Sequence, residues 1–304
     1  MNQKIEGLRA LAYGSLMCGL STIFILASTF VPGTCILSLL LLPLFTTMVV
    51  LKVSYRYVLI YSCALVSISL IDPLNSLFIV IPSIITGLSF GVLIKKYIHG
   101  YYIIFFSSLV LLVLQIGAKY AISLIYEQDM QEIMGQIMHF KETTFAYIFY
   151  IFLFLVSLAQ ATLTYVIGTN ELTKLGFTFN EKKNDFVRIL ITTMILLISS
   201  IILYFVNISL SYLFICFTLY FGVILAYYNF SYYETKFVLY LQIPLYVLSL
   251  LSFFVIASYV DKFISPYFIL LIVLSEIIMS LFIIVWQKFI KKGIISESIF
   301  DKLN

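Results

Sequence analysis

"LRALAYGSLMCGLSTIFILASTF", residues 8–30, decides the class of this molecule. Twenty-three residues pass with a single charge, Arg9, near the start. As a helix rising 1.5 Å per residue the run is about 35 Å long, enough to cross a hydrocarbon core of about 30 Å. One edge of that helix is thin: Ala10, Gly14, Cys18 and Thr22 recur at every fourth position. In a lipid-facing helix those positions could be Leu or Ile at no cost. In lipid, packing rather than water exclusion drives helix association, and small residues four apart let two helices approach closely. The partner at this edge is either another span of the same chain or a second protein.

The rest of the chain extends that reading. Of its 304 residues 62% are hydrophobic and only 11% charged, against about 45–50% and about 25% in soluble domains. Such a chain cannot solvate its surface in water, so the bilayer is its solvent and its first partner. Runs long enough to span occur at about 8–30, 35–51, 57–71, 77–94, 101–125, 145–168, 188–206, 210–228, 237–258 and 266–287. The second and third are short, about 22–26 Å. They are either full crossings or a hydrophobic pair that dips in and returns, and both leave the flanks on the same side. The expected fold is therefore all-α, a polytopic transmembrane helix bundle of about ten spans.

Basic residues orient it. With the N-terminus inside, the inner segments hold 15 of the 18 Lys and Arg residues, among them Arg9, Lys52, Arg56, Lys95, Lys96, Lys174, Lys182, Lys183, Arg188 and Lys236. The outer segments hold Lys141 and Lys262, and Lys119 lies near the outer end of the fifth span. Cytoplasmic loops carry such an excess, and a missed span would have scrambled it downstream. Both termini are expected in the cytoplasm of a multi-pass cell-membrane protein. Tyrosines gather where spans meet the headgroups (Tyr55, Tyr57, Tyr97, Tyr101, Tyr102, Tyr227, Tyr228, Tyr232 and Tyr233), as amphipathic rings prefer.

Two polar stretches interrupt the runs. The outer loop 127–142, "EQDMQEIMGQIMHFKE", has Met and Ile at helical spacing and reads as an amphipathic helix on the outer face. The inner loop 169–187 is the most polar part of the chain and divides a six-span part, 1–168, from a four-span part, 188–304.

Chemistry has few carriers. The net charge of +4 follows from loop placement, and no basic tract supports nucleic-acid binding. The four cysteines (Cys18, Cys35, Cys63, Cys216) lie in or beside apolar runs without metal-type spacing, and read as compact apolar residues. Neither Cys18 nor Cys35 follows a lipoprotein-type cleavage pattern, and the first run is too long for a signal-peptide core, so it reads as retained. "GLSFG", Gly87 to Gly91, matches the nucleophile-elbow pattern G-x-S-x-G, but sits inside a span with no acid or His nearby. It reads as a packing face. No H-E-x-x-H, P-loop or G-x-G-x-x-G occurs. Neither catalysis, nor a cofactor, nor a metal is expected.

Four polar side chains inside spans or near their outer ends are candidate ligand contacts: Gln115, Lys119, Asn75 and Gln160, with Asp72 nearby. Gln115 and Lys119 are four apart on one helical face. Lys119 either meets an anionic ligand group or snorkels to the outer headgroups. Glu276, in "LLIVLSEIIMSLF", is the most anomalous residue, because a carboxylate at a helix centre costs about 2.5–3.5 kcal/mol on insertion scales. It is either a proton or cation site or a hydrogen-bonded clamp between helices. Pro43, Pro82 and Pro244 interrupt three spans and should kink them.

The order of these features resembles a known family. "KIEGLRA" leads into the small-residue helix and the "VPGT" turn. "LPLFTTMVV" and "YVLIYSCALVSISL" follow, separated by the basic turn 52–56, and then "DPLNSLFIVIPSIITGLSFGVLIKK". The chain resembles the YybS-like family of multi-pass membrane proteins of Gram-positive bacteria, itself thought to be related to the substrate-binding (S) components of energy-coupling-factor transporters. That resemblance implies a six-helix bundle in residues 1–168 and an outward-opening pocket for a small molecule among the later helices. It also implies a first helix that docks a membrane coupling subunit through an Ala-x-x-x-Ala-like surface, which Ala10 and Gly14 match and Cys18 continues. Four further spans follow that the transporter components lack. Three functions are open at this point. One is a small-solute-binding transport component with a separate energising partner, and another a structural or regulatory subunit with no transported substrate. The third is a proton-coupled carrier using Glu276.

Overall fold

Hydrocarbon offers backbone amides no partner outside the segment itself, so apolar runs of this length are driven to helix. The structure, a computed structural model, describes residues 7–31, 33–127, 142–174, 186–231 and 269–291, with positions 129, 132, 136, 176, 244, 245, 247–249, 251, 252 and 267. Among these, the regular structure is helical throughout: α1 (Leu8–Phe30), α2 (Cys35–Lys52), α3 (Tyr55–Ser69), α4 (Pro73–Lys95), α5 (Gly100–Tyr126), α6 (Glu142–Lys174), α7 (Phe186–Tyr204), α8 (Ile208–Ser231) and α9 (Leu270–Lys291). Seven, α1, α2 and α4 to α8, contain a stretch long and apolar enough to cross a membrane. The architecture is that of a multi-pass membrane protein.

The ninth expected run, 237–258, lies mostly outside the described residues, as do the outer amphipathic loop, the Lys182–Lys183 pair, and Tyr232 and Tyr233. The third run forms a helix of 15 residues, shorter than the rest, and α6 runs on through Lys174, beyond the edge expected at 168. The chain divides into two compact units, Met1–Lys183 and Asn184–Asn304, the break falling within the polar loop.

In the first unit α2 is the central helix, touching α1, α3, α4 and α6. Its second half, from Leu42 to Val50, is the most enclosed part. Leu42, Val49 and Val50 are at most 1% exposed. The closest approach is to α4. A Cβ built on Gly87 would stand 2.5 Å from the Pro43 carbonyl oxygen, and one on Gly91 would stand 2.6 Å from the Val50 side chain. Only glycine lets these backbones meet. Thr47 Oγ1 then donates to the Gly87 carbonyl at 3.0 Å. "GLSFG" is thus a helix-packing face. Lys95 Nζ donates to the Val50 carbonyl at the same end, and lies 5.5 Å from the Tyr55 ring centroid.

Proline is accommodated rather than avoided. Asp72 caps α4 by accepting from the Asn75 N–H at 3.2 Å, with Pro73 in the first turn, where its missing N–H costs nothing. A wide π turn over Ser76–Val80 comes just before Pro82, whose ring and lost N–H disturb the α register.

In the second unit α8 lies between α7 and α9. Gly222 lets α9 close in, since an added Cβ would stand 2.9 Å from Val273 Cγ2. Ser211 Oγ donates to the Ser200 carbonyl at 2.6 Å and also meets the Tyr267 hydroxyl.

Candidate functional site

The facing sides of α5 and α6 carry the polar groups that the spans bring together. Lys119 is 8% exposed despite its charge. Its Nζ is 3.5 Å from Asp129 Oδ1 and 4.9 Å from the centroid of the buried Phe149 ring, whose negative face attracts a cation. One turn earlier on α5, Gln115 Oε1 accepts from Ser157 Oγ of α6 at 3.1 Å. Ser157, Gln160 and Thr164 follow at i, i+3 and i+7, which places all three on one face of α6. The Gln160 Nε2 and Thr164 Oγ1 atoms are buried and have no hydrogen-bond partner among the described residues. Hydrogen-bonding capacity in hydrocarbon surroundings is costly to leave unused.

The sequence candidates Gln115, Lys119 and Gln160 therefore all lie on the α5 and α6 pair. Ser157 belongs with them through its bond to Gln115, whereas Thr164 lines a small cavity with Leu44 and Thr47 of α2 and Phe90 and Ile94 of α4. Asn75 stands elsewhere. Its Nδ2 donates to Ser28 Oγ at 2.8 Å and Thr29 Oγ1 at 3.1 Å, tying the start of α4 to the end of α1.

Ala10, Gly14 and Cys18 face α3, and the packing there is unlike that at Gly87. Ala10 and Gly14 are buried, yet a Cβ added at Gly14 or Gly19 would meet nothing within 4 Å among the described residues. A groove of 510 Å³ separates the two helices, with Ala10, Gly14 and Cys18 on one wall and Tyr57, Ile60 and Ala64 on the other. Tyr61 holds its floor: the hydroxyl is 2.8 Å from Ser21 Oγ of α1 and 3.4 Å from Thr46 Oγ1 of α2. The thin edge lines this groove between α1 and α3.

Glu276 is 2% exposed and meets a donor that sequence reading missed. Asn229 Nδ2 of α8 donates to Glu276 Oε2 at 2.9 Å and to the Glu276 carbonyl at 3.2 Å. Ser280 Oγ, one turn on, donates to Asn229 Oδ1 at 2.9 Å. The carboxamide is used at both ends, so the cluster clamps α8 to α9. Asn229 follows two belt tyrosines, Tyr227 and Tyr228, which masked it as an interfacial residue. Among the described residues no three His, Cys, Asp or Glu side chains gather as a metal site would need.

Comparison with protein-family models, with curated proteins and with solved structures finds no match to this chain.

Proposed function

We propose that this chain is a ten-span cell-membrane protein with cytoplasmic ends that binds a small solute bearing an anionic or strongly polar group on the facing sides of α5 and α6. It acts without catalysis, as a transport component coupled to a separate energising partner. Lys119 carries this function. A lysine 8% exposed within a membrane-length helix is costly, and such residues mark ligand or ion pathways far more often than they serve packing. Asp129 and the Phe149 ring hold the ammonium in place. Gln115, Ser157 and Gln160 extend the polar surface one to two turns deeper.

Metabolite analysis of the purified full-length protein tests it. A co-purifying small anion that disappears in Lys119→Met and weakens at least tenfold in Gln160→Leu supports the function. Identical small-molecule content in wild type and Lys119→Met would sink it. Reporter fusions after Lys96 and within the 169–187 loop test the orientation, and an external signal at either site would overturn it.

A second function, a structural subunit with no transported substrate, draws on the Asn75 and Asn229 contacts. There the buried polar groups tie helix to helix.

A further inference from the structure

We infer that the groove between α1 and α3 holds one acyl tail of an anionic phospholipid, with its headgroup seated on Arg9 and Arg56. The groove volume of 510 Å³ lies in the range of small-molecule sites, about 300–1,000 Å³. Its walls are mostly carbon, and an unfilled apolar wall forfeits dispersion contacts. From Ala10 to Thr22 it runs 12 residues of α1, about 18 Å. That is close to the depth of one leaflet, about 15 Å, and well short of the roughly 30 Å that a partner helix crossing the bilayer would occupy. A single tail entering from one leaflet fits this length.

Charge says which lipid. Arg9 directly precedes Ala10 and Arg56 directly precedes Tyr57, the first lining residues of their two helices, and both arginines are exposed. Neither helix has an acidic residue in its first turn. Arginine grips a phosphate with paired hydrogen bonds, so two arginines borne next to the first lining residues of these helices suit an anionic headgroup. The small residues keep the slot free, and the Ser21, Tyr61 and Thr46 hydroxyls hold three helices in register around it. The thin edge of α1 thus serves a lipid tail.

Native mass spectrometry decides this with the full-length chain, extracted in mild detergent and incubated with an equimolar mixture of dioleoyl phosphatidylglycerol and dioleoyl phosphatidylcholine. One phosphatidylglycerol should stay bound, favoured roughly thirtyfold over phosphatidylcholine by two basic side chains beside its headgroup. Arg9→Gln with Arg56→Gln, both surface changes, should bring that ratio close to unity. Gly14→Leu with Gly19→Leu fills the slot and should abolish the bound lipid without lowering the melting temperature. Equal retention of the two lipids by the wild type would overturn the inference, as would unchanged selectivity in the double arginine variant. So would a photocrosslinker at Gly14 that captures a polypeptide in native membranes and no lipid.

Discussion

Two glycine-bearing stripes in the first unit look alike on paper and behave oppositely. Gly87 and Gly91 of α4 are four apart, as are Ala10 and Gly14 of α1. At Gly87 the missing side chain is replaced by the backbone of α2, close enough that any Cβ would overlap the Pro43 carbonyl. At Gly14 it is replaced by nothing within 4 Å among the described residues. A row of small residues lets something approach closely but does not say what approaches. In α4 it is a helix. In α1 it is the groove between α1 and α3.

The contrast can be broken by substitution, with opposite signs expected on its two sides. Gly87→Ala should destabilise the first unit most, by about 1–3 kcal/mol, because two backbones must part to admit the methyl group. A melting temperature in detergent equal to wild type would mean that α2 and α4 are not in contact there. Asn229→Leu extends the same test to polar packing. It removes the donor to Glu276 Oε2 and should cost about 1–2 kcal/mol in denaturant titration of the purified protein. Adding Glu276→Leu should restore much of that loss, since replacing both partners leaves nothing unsatisfied. No recovery in the double variant would show that Glu276 serves something other than the clamp.

On the open side, Gly14→Ala should stabilise the protein, by about 0.5–1 kcal/mol, because it restores helix propensity and meets no neighbour. Destabilisation there would mean that α1 and α3 close more tightly than this groove. Tyr61→Phe is the smallest change. Loss of its hydroxyl contacts to Ser21 and Thr46 should cost about 0.6 kcal/mol, typical of hydrogen bonds between membrane helices. A cost several times larger would place Tyr61 at the centre of the three-helix packing.

The helical class was legible because hydrophobic run length is a local quantity. The edges of α1 and α2 fall within a residue or so of where the apolar runs begin and end. Edges slipped where polar residues continue a helix past the apolar run, as in "TNELTK" at the end of α6. The candidate site was legible only in part. Lys119 and Glu276 stand out in any hydropathy reading, but their partners do not. Asp129 sits in the polar loop, and Asn229 is 47 residues from Glu276 behind a pair of tyrosines. Asn75 is engaged at one end of its amide: Nδ2 donates to two hydroxyls of α1, while the buried Oδ1 has no hydrogen-bond partner among the described residues.

By itself the sequence determined that lipid surrounds these helices, because that follows from the count of apolar residues between charges and needs no knowledge of neighbours. It also determined where each candidate lies along its helix, since 3.6 residues per turn sets which side chains share a face. Only the tertiary structure decided what stands opposite each face. Helices in hydrocarbon select partners through differences of a few tenths of an ångström in contact distance and through single polar pairs, and both depend on residues far apart in the chain. Gly14 and Gly87 are the same letter. What replaces the absent side chain, a neighbouring backbone or an open slot, is a property of the packing alone.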